Sequence, residues 1–385
     1  MSLHIVFLCN EYPPSPGGGI GTFYQTLGRA LVKQGWEVTV VGYYRSQKNI
    51  DKTDDCGVRV WRLPASRETR GRFHINMVLD RLRLGWWVRA LSDKRPYDLL
   101  ESADYQGLSW AMPNRAPIIV RIHGADLIFM PLMGIQPHPW KAYFEKQALL
   151  NANYVVGSSS FITDQAERVL GSTRTIAKTI YNMVDVETFS PRKNIQRDRT
   201  TVASVSTITP KKGVYQLLDA WQLIHLTSPN SILYYYGRDT LDNDGLSNQD
   251  KLKAIVREKQ LTGNVRFMGA IPYTELPNLF CKIGVLVFPS FLEAHPRVWL
   301  EAMATGSPII GSTLGPGPEI IDNSRTGLLA DPNDINDLAR KIEYLLQRPV
   351  EAKQFGENAR LDMIERFSVE VILKQNTDFF HSCIG

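Results

Sequence analysis

The feature that most constrains this chain is an alternation of apolar strand-like runs with amphipathic helical ones, which stops near residue 190 and then starts again. In the first half the runs are HIVFLC (4–9), EVTVVG (37–42), VRVWRL (58–63), YDLLE (97–101), PIIVRI (117–122) and NYVVGS (153–158). A helical stretch from Thr22 to Gln34 separates the first two, and Gly35 is placed to end it. After Pro191 the pattern resumes with TVASVS (201–206), SILYYYG (231–237), NVRFMG (264–269), GVLVFPS (284–290) and SPIIGS (307–312). Continuous apolar runs between helices predict parallel sheets covered on both faces. At 385 residues the chain is also too long for a single growing core. The expected architecture is therefore α/β, with two Rossmann-like domains facing each other, 1–190 and 191–365, joined near residues 186–200. Such sheets bind ligands beyond the carboxyl ends of their strands, so the loops after these runs are where chemistry is sought.

Composition narrows the class. Hydrophobic residues at 43% and charged ones at 22% are ordinary for a globular chain and exclude a disordered one. No apolar run approaches the ~20 residues of a membrane span. The N-terminal MSLHIVFLC has no basic segment ahead of its apolar run and no small-residue cleavage site, so it reads as a first strand rather than a secretion signal. Cys9, Cys56, Cys281 and Cys383 lack metal-ligand or paired spacing, which suits reduced thiols and a cytoplasmic location. The net charge of +5 lies wholly in residues 1–190, which hold 22 Lys+Arg against 17 Asp+Glu, the remainder being balanced at 22 against 22. Nine basic and three acidic side chains fall between Trp61 and Arg95. A field of that sign attracts anionic partners without specifying a fold.

Two loops carry chemistry-bearing patterns. Pro13-Pro14-Ser15-Pro16-Gly17-Gly18-Gly19-Ile20-Gly21 lies between the first strand and the first helix. Consecutive glycines let backbone amides approach an anion at a helix N-terminus; the plain alternative is a turn with no ligand. A dinucleotide fingerprint is incomplete here, because Gly19 and Gly21 are followed by Gln25 and the second strand ends in Tyr43 and Tyr44 rather than an acidic residue. That disfavours hydride transfer. The second loop is Pro289-Ser290-Phe291-Leu292-Glu293-Ala294-His295-Pro296, leading into Arg297-Val298-Trp299-Leu300-Glu301-Ala302-Met303-Ala304-Thr305-Gly306. Pro296 suits the first turn of a helix and Gly306 its end. Glu293 then precedes the helix, and Glu301 lies about a turn and a half inside it. Such a pair serves either a sugar and vicinal ribose hydroxyls or nothing more than a solvated helix face.

The stretch from Phe288 to Glu319 resembles the signature of the retaining glycosyltransferases of family 4 (glycosyltransferase group 1), which have the GT-B fold. In that signature two glutamates eight residues apart follow a Pro-Ser and precede Glu-Ala-Met-Ala-x-Gly. The glycine loop, Arg121-Ile122-His123-Gly124, Tyr181-Asn182-Met183-Val184-Asp185 before Phe189-Ser190-Pro191, Lys211-Lys212-Gly213 and Gly315-Pro316-Gly317-Pro318-Glu319 fall in the family's order. The resemblance implies a C-terminal donor domain, an N-terminal acceptor domain and a last helix, within 366–385, that crosses back to the first domain. It assigns Lys212 to the donor phosphates, Glu293 to the transferred sugar, Glu301 to the ribose and His123 to the reacting sugar, with Asp126 a weaker candidate. Gly18 and Gly19 would face the diphosphate or the acceptor. The backbone at Arg297 and Val298 would add phosphate or sugar contacts, and the Met268–Ile271 loop would carry the base.

The implied reaction is hexosyl transfer from a UDP-sugar, UDP-glucose first, to a polysaccharide or lipid-linked glycan. It would proceed with retention, by front-face attack or a short-lived oxocarbenium, without a metal or other cofactor and without nucleic acid. Two departures stand out. Thr207 occupies the place of the family's arginine five residues before the lysine, and Arg238, Arg297 and Lys211 are the possible replacements. Glu293-Ala294-His295-Pro296 stands where Glu-Gly-Phe-Gly is common, so an amide is lost and His295 adds a titratable group beside the donor sugar. A non-catalytic subunit that binds a glycan or a partner is the alternative these departures motivate. Asp242-Asn243-Asp244 matches a metal-holding string but sits in a polar surface stretch. Residues 70–95 alternate Arg, Leu and Trp at helical spacing; this is either a helix packed on the first domain or a peripheral contact with the inner face of a membrane.

Overall fold

The structure, a computed structural model, describes residues 2–15, 18–66, 73–171, 178–242 and 244–385. The chain divides into two compact units, Met1–Met183 with Val369–Gly385, and Val184–Ser368. The boundary falls at 183/184 rather than at 190/191 because residues beyond Met183 already pack in the second unit. Val184 donates its N–H to the Phe367 carbonyl at 2.9 Å, and the ring of the fully buried Phe189 lies tilted 6.2 Å from that of Phe280.

The first unit is an eight-stranded sheet in the order β3-β4-β2-β1-β5-β6-β7-β8. Its strands are β1 (His4–Leu8), β2 (Glu37–Tyr44), β3 (Asp51–Asp55), β4 (Val58–Pro64), β5 (Leu99–Ala103), β6 (Ile118–Ile122), β7 (Tyr154–Gly157) and β8 (Lys178–Thr179). All neighbours run parallel except β3 and β4. Its helices are α1 (Gly19–Lys33), α2 (Phe73–Lys94), α3 (Asp126–Leu132), α4 (Pro139–Asn151) and α5 (Ser160–Leu170). Every residue of β1 is buried, and the two-residue alternation of a strand sends its side chains to opposite layers. Ile5 and Phe7 pack with Phe23, Tyr24 and Leu27 of α1, while Val6 and Leu8 pack with Leu84, Val88 and Leu91 of α2.

The second unit is a six-stranded, all-parallel sheet in the order β11-β10-β9-β12-β13-β14. The strands are β9 (Asp198–Val205), β10 (Ile232–Tyr236), β11 (Val265–Gly269), β12 (Ile283–Val287), β13 (Ile309–Ser312) and β14 (Leu328–Ala330). The covering helices are α6 (Val214–Thr227), α7 (Asn248–Glu258), α8 (Leu276–Lys282), α9 (Arg297–Ala304), α10 (Gly317–Ile320), α11 (Ile335–Gln347) and α12 (Pro349–Asp362). Val202, Leu233, Val285 and Ile310 of the strands pack on Leu218 and Trp221 of α6 and Ile342 of α11.

The final helix, α13 (Val369–Ile384), belongs to the first unit, where Ile372, Phe379 and Phe380 join the core that holds Ile5 and Phe7. One buried polar group fixes it there. Arg121 on β6 makes a bidentate pair with Glu101 on β5, at 2.7 and 3.1 Å, and donates to Asn376 on α13 at 2.6 Å. Strand order reverses between β1 and β5 in one unit and between β9 and β12 in the other. The loops that follow these strands are where each sheet offers a binding crevice.

Candidate functional site

In the second unit, β9 runs through Ser206–Thr209 into a single 3₁₀ turn, Pro210–Lys212. Gly213 follows in the left-handed region at φ 68°, and a Cβ there would stand 1.9 Å from the Pro289 carbonyl oxygen. Only glycine lets the loops after β9 and β12 approach so closely. The Phe291 N–H completes the junction by donating to the Lys211 carbonyl at 2.9 Å. Lys212 Nζ thereby meets Glu293 Oε1 at 2.5 Å across the switch point, with the side chains 17% and 12% exposed. The pair is shielded yet reachable.

Helix α9 starts just beyond, at Arg297, with Pro296 as its cap. Glu301, one turn along, is buried, and its Oε1 lies 3.7 Å from Arg297 Nη2. The Tyr273 hydroxyl donates to the same Oε1 at 2.9 Å and stands 3.5 Å from Arg297 Nη2. Burial pushes the Glu301 carboxyl upward, against the opposing pull of Arg297 and the Tyr273 hydrogen bond. Tyr273 was not foreseen from sequence. It opens a 3₁₀ turn (Tyr273–Glu275) that continues the Met268–Ile271 segment assigned to the base, and an aromatic hydroxyl in a post-strand loop was the available signal. Met268 is itself half exposed on β11.

Of the three replacements for the missing arginine, Arg238, two residues past the end of β10, is the one beside Thr207, since the Ile208 N–H donates to the Arg238 carbonyl at 2.9 Å. The Arg297 guanidinium is engaged with Glu301 and Tyr273, and Lys211 sits on the 3₁₀ turn. Val298 occupies the first turn of α9. The expectation for His295 is corrected. It is buried against the Phe367 ring at 5.5 Å, and burial together with the charge of Arg366 pushes its imidazole down to about 3. It is a neutral core residue at physiological pH.

In the first unit the amides of the glycine loop are already engaged. The Gly18 and Gly21 N–H groups donate to the Glu11 carboxylate at 2.9 and 3.3 Å, so the protein itself supplies an anion at the N-terminus of α1, where Gly19 is the first residue. Gly17 lies outside the described residues. His123, directly after β6, gives its N–H to Asp104 at 3.0 Å, and its ring lies 5.2 Å from that of Phe23. Asp104 also accepts from Gly124 and Ala125, yet burial still raises it to about 6. Glu145 accepts the Gln106 and Leu127 N–H groups, and burial lifts it to about 7. Asp126 pairs with Lys141 at 3.3 Å. Beside these loops a cavity of about 590 Å³ is lined by Asn10, Tyr43, Arg45, Asp80, Arg81 and Gln106, among others.

The structure describes the 70–95 stretch from Phe73 onward as α2; residues 70–72 lie outside it. Ile75, Leu79, Leu82 and Trp86 are exposed, at the four-three-four spacing of a single helix face. No helix among the described residues is long and apolar enough to cross a membrane. In the polar stretch Asp242 binds Lys251 and accepts the Asp244 and Leu246 N–H groups; Asn243 lies outside the described residues.

Two family patterns match the chain almost end to end. Residues 18–182 match the family described as "Glycosyl transferase 4-like domain" and residues 185–362 match "Glycosyl transferases group 1". A glycogen synthase of Mycobacterium tuberculosis is 24% identical over 400 residues, covering 96% of this chain and 92% of the relative. Among solved structures, sucrose-phosphate synthase from Thermosynechococcus elongatus superimposes with a TM-score of 0.83 at 24% identity, covering 99% of this chain and 98% of that one. An Anabaena protein, HepE, crystallised with UDP and glucose, superimposes with a TM-score of 0.74 at 18% identity over 99% of this chain and 100% of its own.

Proposed function

Because this chain belongs to the group 1 glycosyl transferases of family 4 and has their GT-B fold, we propose that it moves a hexose from a nucleotide diphosphate sugar to a glycan or lipid-linked acceptor, with retention at the anomeric carbon. The observation that carries the reading is the Lys212–Glu293 pair across the switch point of the second unit, with the Arg297–Tyr273–Glu301 cluster beside it. As the bond from the anomeric carbon to the diphosphate breaks, negative charge grows on the leaving oxygen. Lys212 neutralises it, with Arg238 in the place of the absent arginine. Glu293, released from the ammonium, turns to the hydroxyls of the transferred sugar. Glu301 accepts from the ribose, the Met268–Ile271 segment lies under the base, and the amides near Val298 face the diphosphate. The acceptor hydroxyl bonds to the anomeric carbon from the face the diphosphate leaves and passes its proton to the departing diphosphate oxygen. The 590 Å³ cavity of the first unit, with its amides and tyrosines, is the acceptor site. His123 keeps the role the resemblance gives it, and no step calls for a metal.

UDP is the first nucleotide to test, and the UDP and glucose bound by the Anabaena neighbour support that choice. Calorimetric titration with UDP, GDP and ADP, each with and without EDTA, tests the reading. Binding of one nucleotide, unchanged by EDTA and weakened ~10–100-fold by Glu301→Ala, is the expected result. If none binds, the loss at Thr207 has disabled the site and a non-catalytic subunit is the better description.

The exposed face of α2 favours a second element of the proposal. Trp86, 62% exposed, lies with Ile75, Leu79 and Leu82 beside the exposed Arg83 and Arg89, a composition suited to an anionic lipid surface at the inner face of a membrane. Co-sedimentation with anionic vesicles, absent with neutral ones and lost in Leu82→Glu, is the expected outcome.

A further inference from the structure

The amino-terminal edge of the second unit's sheet, opposite the Lys212–Glu293 pair, holds a cavity of about 510 Å³ that the proposed transfer does not use. It lies where β9, β12 and β13 begin, closed by the C-terminal end of α9 and by α12. Ile195, Val285, Leu345 and Ala352 contribute an aliphatic lining. Around it stand Arg192, Arg197, Arg199, Lys353 and Arg360, against the single acid Glu357, which lies 3.5 Å from Lys353.

Arg197 and Arg360 are anchored but not neutralised. Arg197 Nη1 donates to the Phe280 carbonyl at 2.9 Å, to the Ser307 hydroxyl at 3.2 Å and to the Ile283 carbonyl. Arg360 Nη1 donates to the carbonyls of Val186, Phe189 and Ala304 at 3.1, 3.2 and 2.6 Å. Carbonyl dipoles fix a guanidinium in place while leaving its net charge. Among the described residues no carboxylate pairs with Arg192, Arg197, Arg199 or Arg360. Burial pushes Arg197 down to about 10, which still leaves it charged at neutral pH. Arg197 and Arg360 are half-buried, so their positive charge beside apolar walls is costly without a counter-charge, and a ligand that is anionic at one end and apolar at the other relieves it. A free inorganic anion would leave the aliphatic lining uncovered, and a neutral amphiphile would leave the guanidiniums without a counter-charge. Guanidinium groups also bind phosphate oxygens bidentately.

We propose that this cavity is a binding site for an amphiphilic anion, a phosphate head on an apolar chain, with the arginine rim taking the head and the Ile195–Val285–Leu345–Ala352 lining taking the chain. The inference stands apart from the donor-site assignment. Decyl phosphate, titrated calorimetrically into the full chain below its micellar concentration, is the probe; decyl glucoside and inorganic phosphate are the neutral and chainless controls. Decyl phosphate is expected to bind at one site, at least ~10-fold more tightly than either control. The exposed-site double variant Arg199→Glu/Lys353→Glu should weaken it ~10-fold or more, and Ala352→Trp should fill the cavity and abolish it. Both variants should keep the wild-type UDP isotherm, and the surface double variant should also keep the unfolding midpoint, which separates a lost site from a lost fold. Leu82→Glu/Trp86→Glu on α2 should leave decyl phosphate binding unchanged. Equal binding of decyl glucoside, wild-type affinity in the two cavity variants, loss in the α2 variant instead, or no binding at all would each overturn the proposal.

Discussion

The two units use carboxylates at their switch points in opposite ways. In the first, Glu11, Asp104 and Glu145 accept hydrogen bonds from backbone N–H groups of the loops that follow β1, β5 and β6. In the second, Glu293 faces the Lys212 ammonium, and Glu301 faces Arg297 and the Tyr273 hydroxyl. A backbone amide cannot leave its partner without remodelling the loop, whereas a lysine or tyrosine side chain needs only a rotation. The first unit therefore has a fixed frame, and the second has charges that a ligand can exchange. Under the proposed transfer, that division suits an acceptor read by shape and a donor that arrives with its own negative charge.

The largest effects should separate frame from exchange. Arg121→Met leaves Glu101 buried without its cation and cuts the tie to Asn376; both members of the pair are fully buried. Removing one partner of such a pair costs ~3–5 kcal/mol, read as a drop in unfolding free energy in denaturant. Wild-type stability would mean that the fixed frame does not depend on this group. Lys212→Met makes the converse test. Its partly accessible pair should contribute less than ~1 kcal/mol to stability, while transfer from UDP-glucose falls ~10²–10³-fold. A variant that unfolds easily but still turns over would reverse the comparison.

Sequence patterning made the two alternating blocks legible because buried parallel strands are apolar on both faces. It missed β3, whose DKTDD pairs only with β4 at the sheet edge and has nothing to bury, and it missed the two- and three-residue strands β8 and β14. The Glu293–Glu301 spacing was visible because both lie on one loop–helix segment. The partners of those residues were not. Lys212 is 81 positions from Glu293, and Asn376 is 255 from Arg121, separations that only tertiary packing closes. The glycine loop was legible as an anion cradle, but nothing local showed that Glu11 would occupy it. His295 misled for a related reason: its burial against Phe367 depends on residues after α12, far along the chain.

A smaller contrast lies in pH, where the buried carboxyls Asp104 and Glu145 of the first unit and the buried imidazole His295 of the second should pull in opposite directions. Asp104 and Glu145 are raised to about 6 and about 7, so the folded state binds more protons than the unfolded one between the ordinary carboxyl range and neutrality. Their contribution to stability therefore falls as pH rises through that window. His295 is depressed from 6.5 to about 3, so its contribution is present above the unfolded value and is lost as pH falls below it. His295→Phe removes only the second term. The stability gap between wild type and this variant should shift by ~2 kcal/mol in the variant's favour between pH 7.5 and 5, measured by denaturant unfolding at each pH. A constant gap would mean that the imidazole is not held neutral in the core.

The smallest effect examines whether the second unit's partners can be removed one at a time. Tyr273→Phe deletes one hydroxyl donor to Glu301 and leaves Arg297 in place. A single hydrogen bond of this kind contributes ~1 kcal/mol, so UDP should bind ~5-fold more weakly while unfolding is almost unchanged. The loss should grow as pH is lowered. The Tyr273 bond is one of the two influences holding the Glu301 carboxyl down against burial, and without it the acid protonates more readily and accepts less well from ribose hydroxyls. UDP isotherms for wild type and variant at pH 6 and 8 decide the matter. An equal deficit at both values would show that the hydroxyl positions the carboxylate without tuning its charge. No deficit at either would leave Arg297 as the sole support of Glu301, making that half of the site as fixed as the frame of the first unit.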